Sequence, residues 1–231
     1  MHNTTIQRDF DRIAEVSTGV WDHNMVFHKY LARLVPPGGR VLDIGCGTGE
    51  FTRIVAGRST EVLGIDISPV MIETAVAKSR GFKNIEYRIE DVFETPEDKP
   101  FDTIVTIAAM HHLLPDVLPK VKTLLKPGGW LIILDLFKEE SITDYLMSAV
   151  SVPGNVLARL IRTGRLELPP EEKEAWEEHA QHDHFMTIKE LCSVYRGGLG
   201  SEFVLRRHLF WRYSLRWQKP DLSVLNKRGK N

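Results

Sequence analysis

The sequence predicts an α/β protein built on a doubly wound, mostly parallel sheet, and three observations carry that prediction. Short apolar runs alternate with segments of helical period from residue 26 to residue 137. Two of the runs, residues 101–108 and 130–136, are apolar almost throughout, as strands buried on both faces must be. A glycine-rich turn, Gly45-Cys46-Gly47-Thr48-Gly49, joins the first run to the helix behind it, where right-handed crossovers bring helix N-termini to the carboxyl edge of the sheet.

In chain order, Val26, Phe27, Tyr30, Leu31, Leu34 and Val35 recur at helical spacing until Pro36, Pro37, Gly38 and Gly39 stop the helix. The first strand follows at residues 40–44, and after the glycine turn Phe51, Ile54 and Val55 share a helical face. The unit repeats with a strand at 61–65 and a helix opened by Ser68 as N-cap and Pro69 at its first position. Ile85, Tyr87 and Ile89 alternate with Glu86, Arg88 and Glu90, which predicts a strand with one wet face near a sheet edge. A helix over 118–125, closed by Pro127-Gly128-Gly129, separates the two apolar strands. Residues 138–185 break the rhythm and read as a helical insert, interrupted at Pro153-Gly154 and again at Pro169-Pro170. Thr187 with Glu190 carries the capping-box signature of a further helix. Residues 202–208 and 212–218 then read as an antiparallel closing hairpin, with a frayed basic tail over 226–231.

Composition limits what the chain does. Its 231 residues suit one domain, 1–231, with an N-terminal helical lid over 1–35 and the insert at 138–185 on the acceptor side. Thirty basic against 31 acidic residues, a formal net charge of -1, give no field that favours a polyanion, so no nucleic-acid partner is expected. Cys46 and Cys192, far apart, supply neither a disulfide framework nor a metal motif, and with no apolar leader or spanning run the expectation is a cytoplasmic protein. The basic stretch 157–162 with Arg165 leaves room for peripheral membrane contact but none for stable insertion. Packing on its own domain is the simpler reading.

The chemistry gathers at strand ends. A dinucleotide fingerprint needs a third glycine at position 50, where Glu50 stands, so the turn does not read as a pyrophosphate cradle. Glycines at 45, 47 and 49 let backbone pass close to a ligand without phosphate, while Asp43 offers a carboxylate to a cationic amine. Asp66 ends the second strand, placed to accept from two ribose hydroxyls, and Asp91 ends the third, placed to accept from an adenine amino group with Val92 against the ring. Each acid alone is as readily an N-cap or a loop residue; three at successive strand ends point to one ligand.

These segments, residues 41–49, 64–68, 101–105, 110–113 and 125–129, resemble the class I S-adenosylmethionine-dependent methyltransferases, above all the small-molecule group that includes the ubiquinone and menaquinone methyltransferases. The resemblance spans residues 10–137 and implies a Rossmann-like methyltransferase fold with sheet order 3-2-1-4-5-7-6 and strand 7 antiparallel. It implies S-adenosylmethionine as cofactor, S-adenosylhomocysteine as product, and a cofactor site of Asp43, Gly45, Cys46, Gly47, Gly49, Asp66, Ile67, Asp91, Val92 and Ala108. Ala108 would turn a carbonyl toward the sulfonium. The lid signature Phe10-Asp11-Arg12-Ile13-Ala14 is present, but Ser17, Thr18 and Trp21 follow where the group commonly has a tyrosine.

Methyl transfer needs alignment and dryness rather than a metal, with a base where the acceptor loses a proton. His111 and His112, after the fourth strand, are the catalytic candidates; equally, paired histidines here cap a turn or shape the pocket. His179, His182 and His184 with Asp183 match no metal-ligand spacing, so no metal is expected. Trp21, His23 and Tyr30 at the lid, and Tyr145, Met147, Val150, Val156, Leu157 and Leu160 in the insert, are candidates to enclose an acceptor, whereas Trp211, Tyr213 and Trp217 read as sheet packing. The leading expectation is methylation of a small-molecule acceptor, on oxygen before nitrogen, sulfur or carbon. A non-catalytic cofactor-binding module is the alternative, and a nucleic-acid or protein methyltransferase the third reading. The attacking atom, the acceptor and the oligomeric state are not written in the sequence.

Overall fold

The computed structural model describes residues 2–17, 24–140, 160 and 168–221. Seven strands form one sheet in the order β3-β2-β1-β4-β5-β7-β6, the order the resemblance implies. β1 (Arg40–Ile44), β2 (Glu61–Asp66), β3 (Ile85–Ile89), β4 (Phe101–Ile107) and β5 (Leu125–Leu136) run parallel, and β7 (Arg212–Gln218) pairs antiparallel with both β5 and β6 (Phe203–Arg207). Between them lie α3 (Glu50–Ala56), α4 (Pro69–Lys78) and α5 (Val117–Leu124), preceded by α1 (His2–Val16) and α2 (Met25–Leu34). α6 (Pro170–His179) and α7 (Ile188–Leu199) complete the helices among the described residues.

Strand alternation divides the core between two faces. Leu42, Ile44, Leu131 and Ile133 pack with Leu118, Val121, Leu191 and Tyr195 under α5 and α7, while Val41, Ile132 and Leu134 pack with Leu31, Phe51 and Val55 under α2 and α3. Complete burial of one such leucine is worth about 1.5–3 kcal/mol, so a one-residue slip of register in β1 or β5 would expose several at once. β3 lies at the sheet edge as predicted, but Ile89, on the side read as dry, is 58 % exposed.

Local signals hold where they are strongest. Ser68 Oγ accepts from Met71 N at 3.1 Å with Pro69 opening α4, and Thr187 with Glu190 closes a full capping box at α7. One boundary differs from the sequence reading. α5 ends at Leu124 and passes straight into β5, because Leu125 pairs with Phe101 of β4; Pro127-Gly128-Gly129 therefore lies within the β5 span. α6 starts at Pro169-Pro170, the expected break, with proline in the first turn where a missing N–H costs nothing. The closing strands are each trimmed or kept within a residue of expectation. Thr18, Trp21, His23, the insert candidates from Tyr145 to Leu157 and the tail over 226–231 lie outside the described residues. No helix among the described residues is long and apolar enough to cross a membrane.

Candidate functional site

Topology sets the chemistry along one edge. Read in sheet order at the carboxyl ends, the side chains are Asp91 after β3, Asp66 ending β2, Asp43 in β1, Ala108 after β4 and Asp135 in β5. α1 packs against α4 and α6, so the lid residues Asp9, Phe10 and Asp11 reach the same edge.

The glycine turn is tied to its neighbours. Gly45 and Cys46 both donate their N–H to the Ile65 carbonyl, at 2.9 and 3.0 Å, and Gly47 N donates to Asp66 Oδ2 at 2.9 Å. Asp66 Oδ1 accepts from Ser68 N at 2.9 Å, so this carboxylate braces the loop while lying at the ligand edge. Ser68 Oγ in turn donates to Asp11 of the lid. Burial raises the Asp66 pKa against the pull of the Ser68 and Gly47 amides. Asp43 is only 2 % exposed; its Oδ2 accepts from the Thr52 hydroxyl at 2.6 Å, and burial lifts its pKa to about 7 despite that bond. Neither Asp43 nor Asp66 has an ion-pair partner among the described residues. Two desolvated carboxylates without a cation are unfavourable in isolation and suited to a cationic ligand.

Gly45, Gly47 and Gly49 all have positive φ, but their surroundings differ. A Cβ on Gly45 would stand 2.6 Å from Ala109 Cβ, so what approaches this residue is the turn after β4. A Cβ on Gly49 would strike the Tyr87 hydroxyl. A Cβ on Gly47 would meet nothing nearer than Met71 Sδ at 3.9 Å, so space is left beside the backbone there. Cys46 is half-buried, and burial with the nearby Asp43 pushes its thiol well above the usual range, so it is no nucleophile. Ile67 follows Asp66 in the next turn; Asp91 Oδ1 caps a short turn through Phe93 N at 3.0 Å, and Val92 is buried in the core under α5. Ala108 holds φ 53 while its N–H donates to Leu134, an uncommon backbone state for a non-glycine residue, set where β4 leaves the sheet.

One strand over from Asp43, the histidines form a second centre. Asp135 Oδ2 accepts the His111 backbone N–H at 2.7 Å and Oδ1 lies 2.7 Å from His111 Nδ1, so one carboxylate fixes both backbone and ring. Burial opposes a charge on His111, but Asp135 and then Asp183 overcome it and raise its pKa to about 9. Burial and His111 together press His112 down to about 3, keeping it neutral. Phe10 of the lid meets the His112 ring edge-on at 5.9 Å and the His179 ring at 4.6 Å. His182 and Asp9 pair at 2.9 Å.

Sequence reasoning named His111 and His112 but missed Asp135 and Asp9. Asp135 had a signal, since it is the one charge in the apolar run 130–136 and is fully buried. Asp9 had none, because only the docking of α1 on α6 brings it to the cluster. Tyr213 and Trp217 are buried sheet packing as read, whereas Trp211 donates its indole N–H to Glu139 at 2.8 Å. Tyr30 lies beside Ser214 and His208, and Leu160 is exposed.

Comparison with known proteins bears on the family and the fold. A family model described as a methyltransferase domain matches residues 36–191. The chain is 28 % identical over 197 residues to a ubiquinone biosynthesis O-methyltransferase of Xylella fastidiosa, covering 75 % of this chain and 77 % of that one. It is 31 % identical over 147 residues to a demethylmenaquinone methyltransferase of Tropheryma whipplei, covering 58 % and 60 %. In fold it is similar to the N-methyltransferase NodS of Bradyrhizobium japonicum in complex with S-adenosyl-L-homocysteine, at TM-score 0.60 and 18 % identity over 95 % of this chain and 98 % of that one. It is also similar to magnesium protoporphyrin IX methyltransferase of Synechocystis with bound S-adenosylhomocysteine, at TM-score 0.63 and 15 % identity over 95 % and 100 %.

Proposed function

The chain belongs to the methyltransferase-domain family and is an S-adenosylmethionine-dependent enzyme, and from that premise we propose that it methylates a small-molecule acceptor on oxygen. The observation that carries this reading is the adjacency, along one sheet edge, of the uncompensated carboxylates Asp43 and Asp66 to the buried histidine centre after β4.

The residues fit the cofactor. Asp43 is a buried anion without a cation and suits the ammonium of the methionine portion; Asp66 keeps lone pairs for ribose hydroxyls beyond the two amides it accepts; Gly47 leaves room against backbone. Asp91 and Val92 would meet the adenine end, and the Ala108 carbonyl the sulfonium end. Bound there, the cofactor supplies an activated methyl group. The protein's task is then to align the acceptor with it and to exclude water.

For a hydroxyl acceptor, a lone pair of the acceptor oxygen forms the new carbon–oxygen bond as the sulfur–methyl bond breaks. The bonding pair stays on sulfur, and the hydroxyl proton must leave. The buried titratable groups at that end of the edge are His112, kept neutral, and Asp183, kept ionised by the histidines around it. Asp135 fixes the ring of His111 beside them and acts through it as a positioning residue. The O-methyltransferase among the relatives supports oxygen as the attacking atom. The rival reading, a binding module without turnover, gains no support from these relatives.

Two measurements test the proposal. Calorimetric titration with S-adenosylhomocysteine should give micromolar binding to folded protein. A panel of hydroxylated aromatic, amine and thiol acceptors, assayed by formation of S-adenosylhomocysteine, should then show turnover with hydroxyl compounds. Turnover confined to amines or thiols would overturn the oxygen assignment, and no turnover across the panel would restore the binding-module reading.

A further inference from the structure

We propose that His111, His112 and Asp183, with His179 beside Asp183, form a binding site for one divalent transition-metal ion of the zinc class, at the acceptor end of the carboxyl edge. The four residues come from two places in the chain. His111 and His112 sit on the short turn after β4, while His179 ends α6 and Asp183 follows four residues later, in the turn beyond it.

The geometry is that of a ligand set. Asp183 Oδ1 lies 3.5 Å from His111 Nε2, 3.5 Å from His112 Nε2 and 3.4 Å from His179 Nε2. Ligand atoms held tetrahedrally at zinc–nitrogen and zinc–oxygen distances of about 2.0–2.1 Å stand about 3.3 Å apart. One ligand atom from each of His111, His112 and Asp183 lies within 4.8 Å of the other two. Direct hydrogen bonds would draw these groups closer, as His111 Nδ1 and Asp135 Oδ1 are at 2.7 Å.

The second argument is unmet valence. His111 Nε2, His112 Nε2 and Asp183 Oδ1 are buried and make no hydrogen bond among the described residues. The side chains of His111 and His112 are each 7 % exposed and that of His179 is 4 % exposed. Buried polar atoms that converge without partners have a missing partner in common. An imidazole-rich set with one carboxylate selects zinc, iron or nickel over calcium or magnesium, which want oxygen.

A supporting shell is also in place. Asp135 holds the far nitrogen of His111. Carboxylates behind ligating histidines fix ring orientation and strengthen the ligand. Because α1 brings Asp9 and Phe10 to the cluster, the lid would close over the ion.

Placing this ion beside the acceptor rests on the methyl-transfer reading; the ion site itself does not. A dication there would hold an acceptor hydroxyl and favour loss of its proton, which makes His111 and His112 ligands rather than bases.

The test is titration of chelator-treated, full-length protein with zinc by calorimetry and with cobalt(II) by visible absorption. The expected result is one ion per chain, with the cobalt bands of a low-coordinate site. Asp183→Asn and His112→Gln should weaken zinc by at least tenfold, Asp135→Asn by about 10–100-fold through His111, and His184→Gln, an exposed neighbour, not at all. S-adenosylhomocysteine affinity, measured on every variant, reports folding and the cofactor site separately. Failure of wild-type protein to bind zinc while it binds S-adenosylhomocysteine overturns the ion site and leaves the methyltransferase reading intact. Equal zinc affinity in Asp183→Asn, His112→Gln and wild type overturns it as well. Zinc binding with no S-adenosylhomocysteine binding supports the ion site and sinks its proposed place in methyl transfer.

Discussion

The two halves of the carboxyl edge are built in opposite ways. The cofactor half is a succession of strand ends, in which Asp43, the glycine turn, Asp66 and Asp91 each follow their own strand and reach their places through pairing of neighbours. The histidine half is assembled over long separations, with Asp9 from the lid, His111 and His112 after β4, Asp135 from β5, and His179 and Asp183 from the end of the insert. The first half depends on backbone geometry at a few glycines, and the second on how helices dock. A change in either should therefore damage one function and spare the other.

The largest effect should come from Gly45→Val. The residue has φ 67 and its added Cβ would stand 2.6 Å from Ala109 Cβ, so the turn after β1 and the turn after β4 cannot both keep their places. Strain of about 1–3 kcal/mol from the left-handed backbone alone, with the overlap added, predicts loss of S-adenosylhomocysteine affinity by about 100-fold or more. Calorimetry on the folded variant measures it, and an affinity within threefold of wild type would break the idea that this contact shapes the cofactor half. Next comes Asp66→Asn, which keeps the shape but removes the charge that holds Gly47 N and Ser68 N. Charge-assisted bonds of about 1.5–3 kcal/mol predict a 10–100-fold weaker cofactor. The cobalt spectrum of the same variant should be unchanged, which sharpens the separation of the halves.

What the sequence discloses follows the same division. Strand order and the sites on it are legible because alternation, the glycine turn and an acid at each strand end are local signals that a parallel sheet carries to one edge. Even there one demand on Gly45 was hidden, since a Cβ on it would meet Ala109 of the turn after β4. The histidine cluster was half legible. His111 and His112 announce themselves after a buried strand, but Asp183 and His179 carry no ligand spacing until α6 turns them toward β4, and Asp9 has meaning only once the lid is docked. The junction of α5 with β5 was missed because pairing of Leu125 with Phe101 outweighs the turn preference of Pro127-Gly128-Gly129.

A smaller effect should appear in the pH dependence of stability without cofactor. Burial raises the Asp43 pKa from 3.8 to about 7, so the folded state holds a proton that the unfolded chain has already released. Stability from this group is fully present below pH 4, falls as pH rises from about 4 to 7, and stays low above that. Asp66 is shifted in the same direction. The melting temperature of wild type relative to Asp43→Asn should fall across that window, and S-adenosylhomocysteine should raise it more at pH 8 than at pH 5, when its ammonium meets an ionised carboxylate. Parallel pH curves for the two proteins would show that Asp43 is not the buried, unpaired anion this reading requires.

The smallest effect, and the finest test of how locally the cofactor half is supported, is Tyr87→Phe. The Tyr87 hydroxyl pairs with Ser79 Oγ at 2.9 Å and lies 3.5 Å from the Gly49 carbonyl, directly beneath the glycine turn. Removing it forfeits one net hydrogen bond, about 0.5–1.5 kcal/mol, which for a chain of this size lowers the melting temperature by about 2–4 °C per kcal/mol. The ring still fills the space that excludes a side chain at Gly49, so the turn keeps its path and cofactor affinity should change less than threefold. A loss of tenfold or more would mean that the turn is held by this one hydroxyl, not by the amides of Gly45, Cys46 and Gly47, and would move the weight of the cofactor half from β2 to β3.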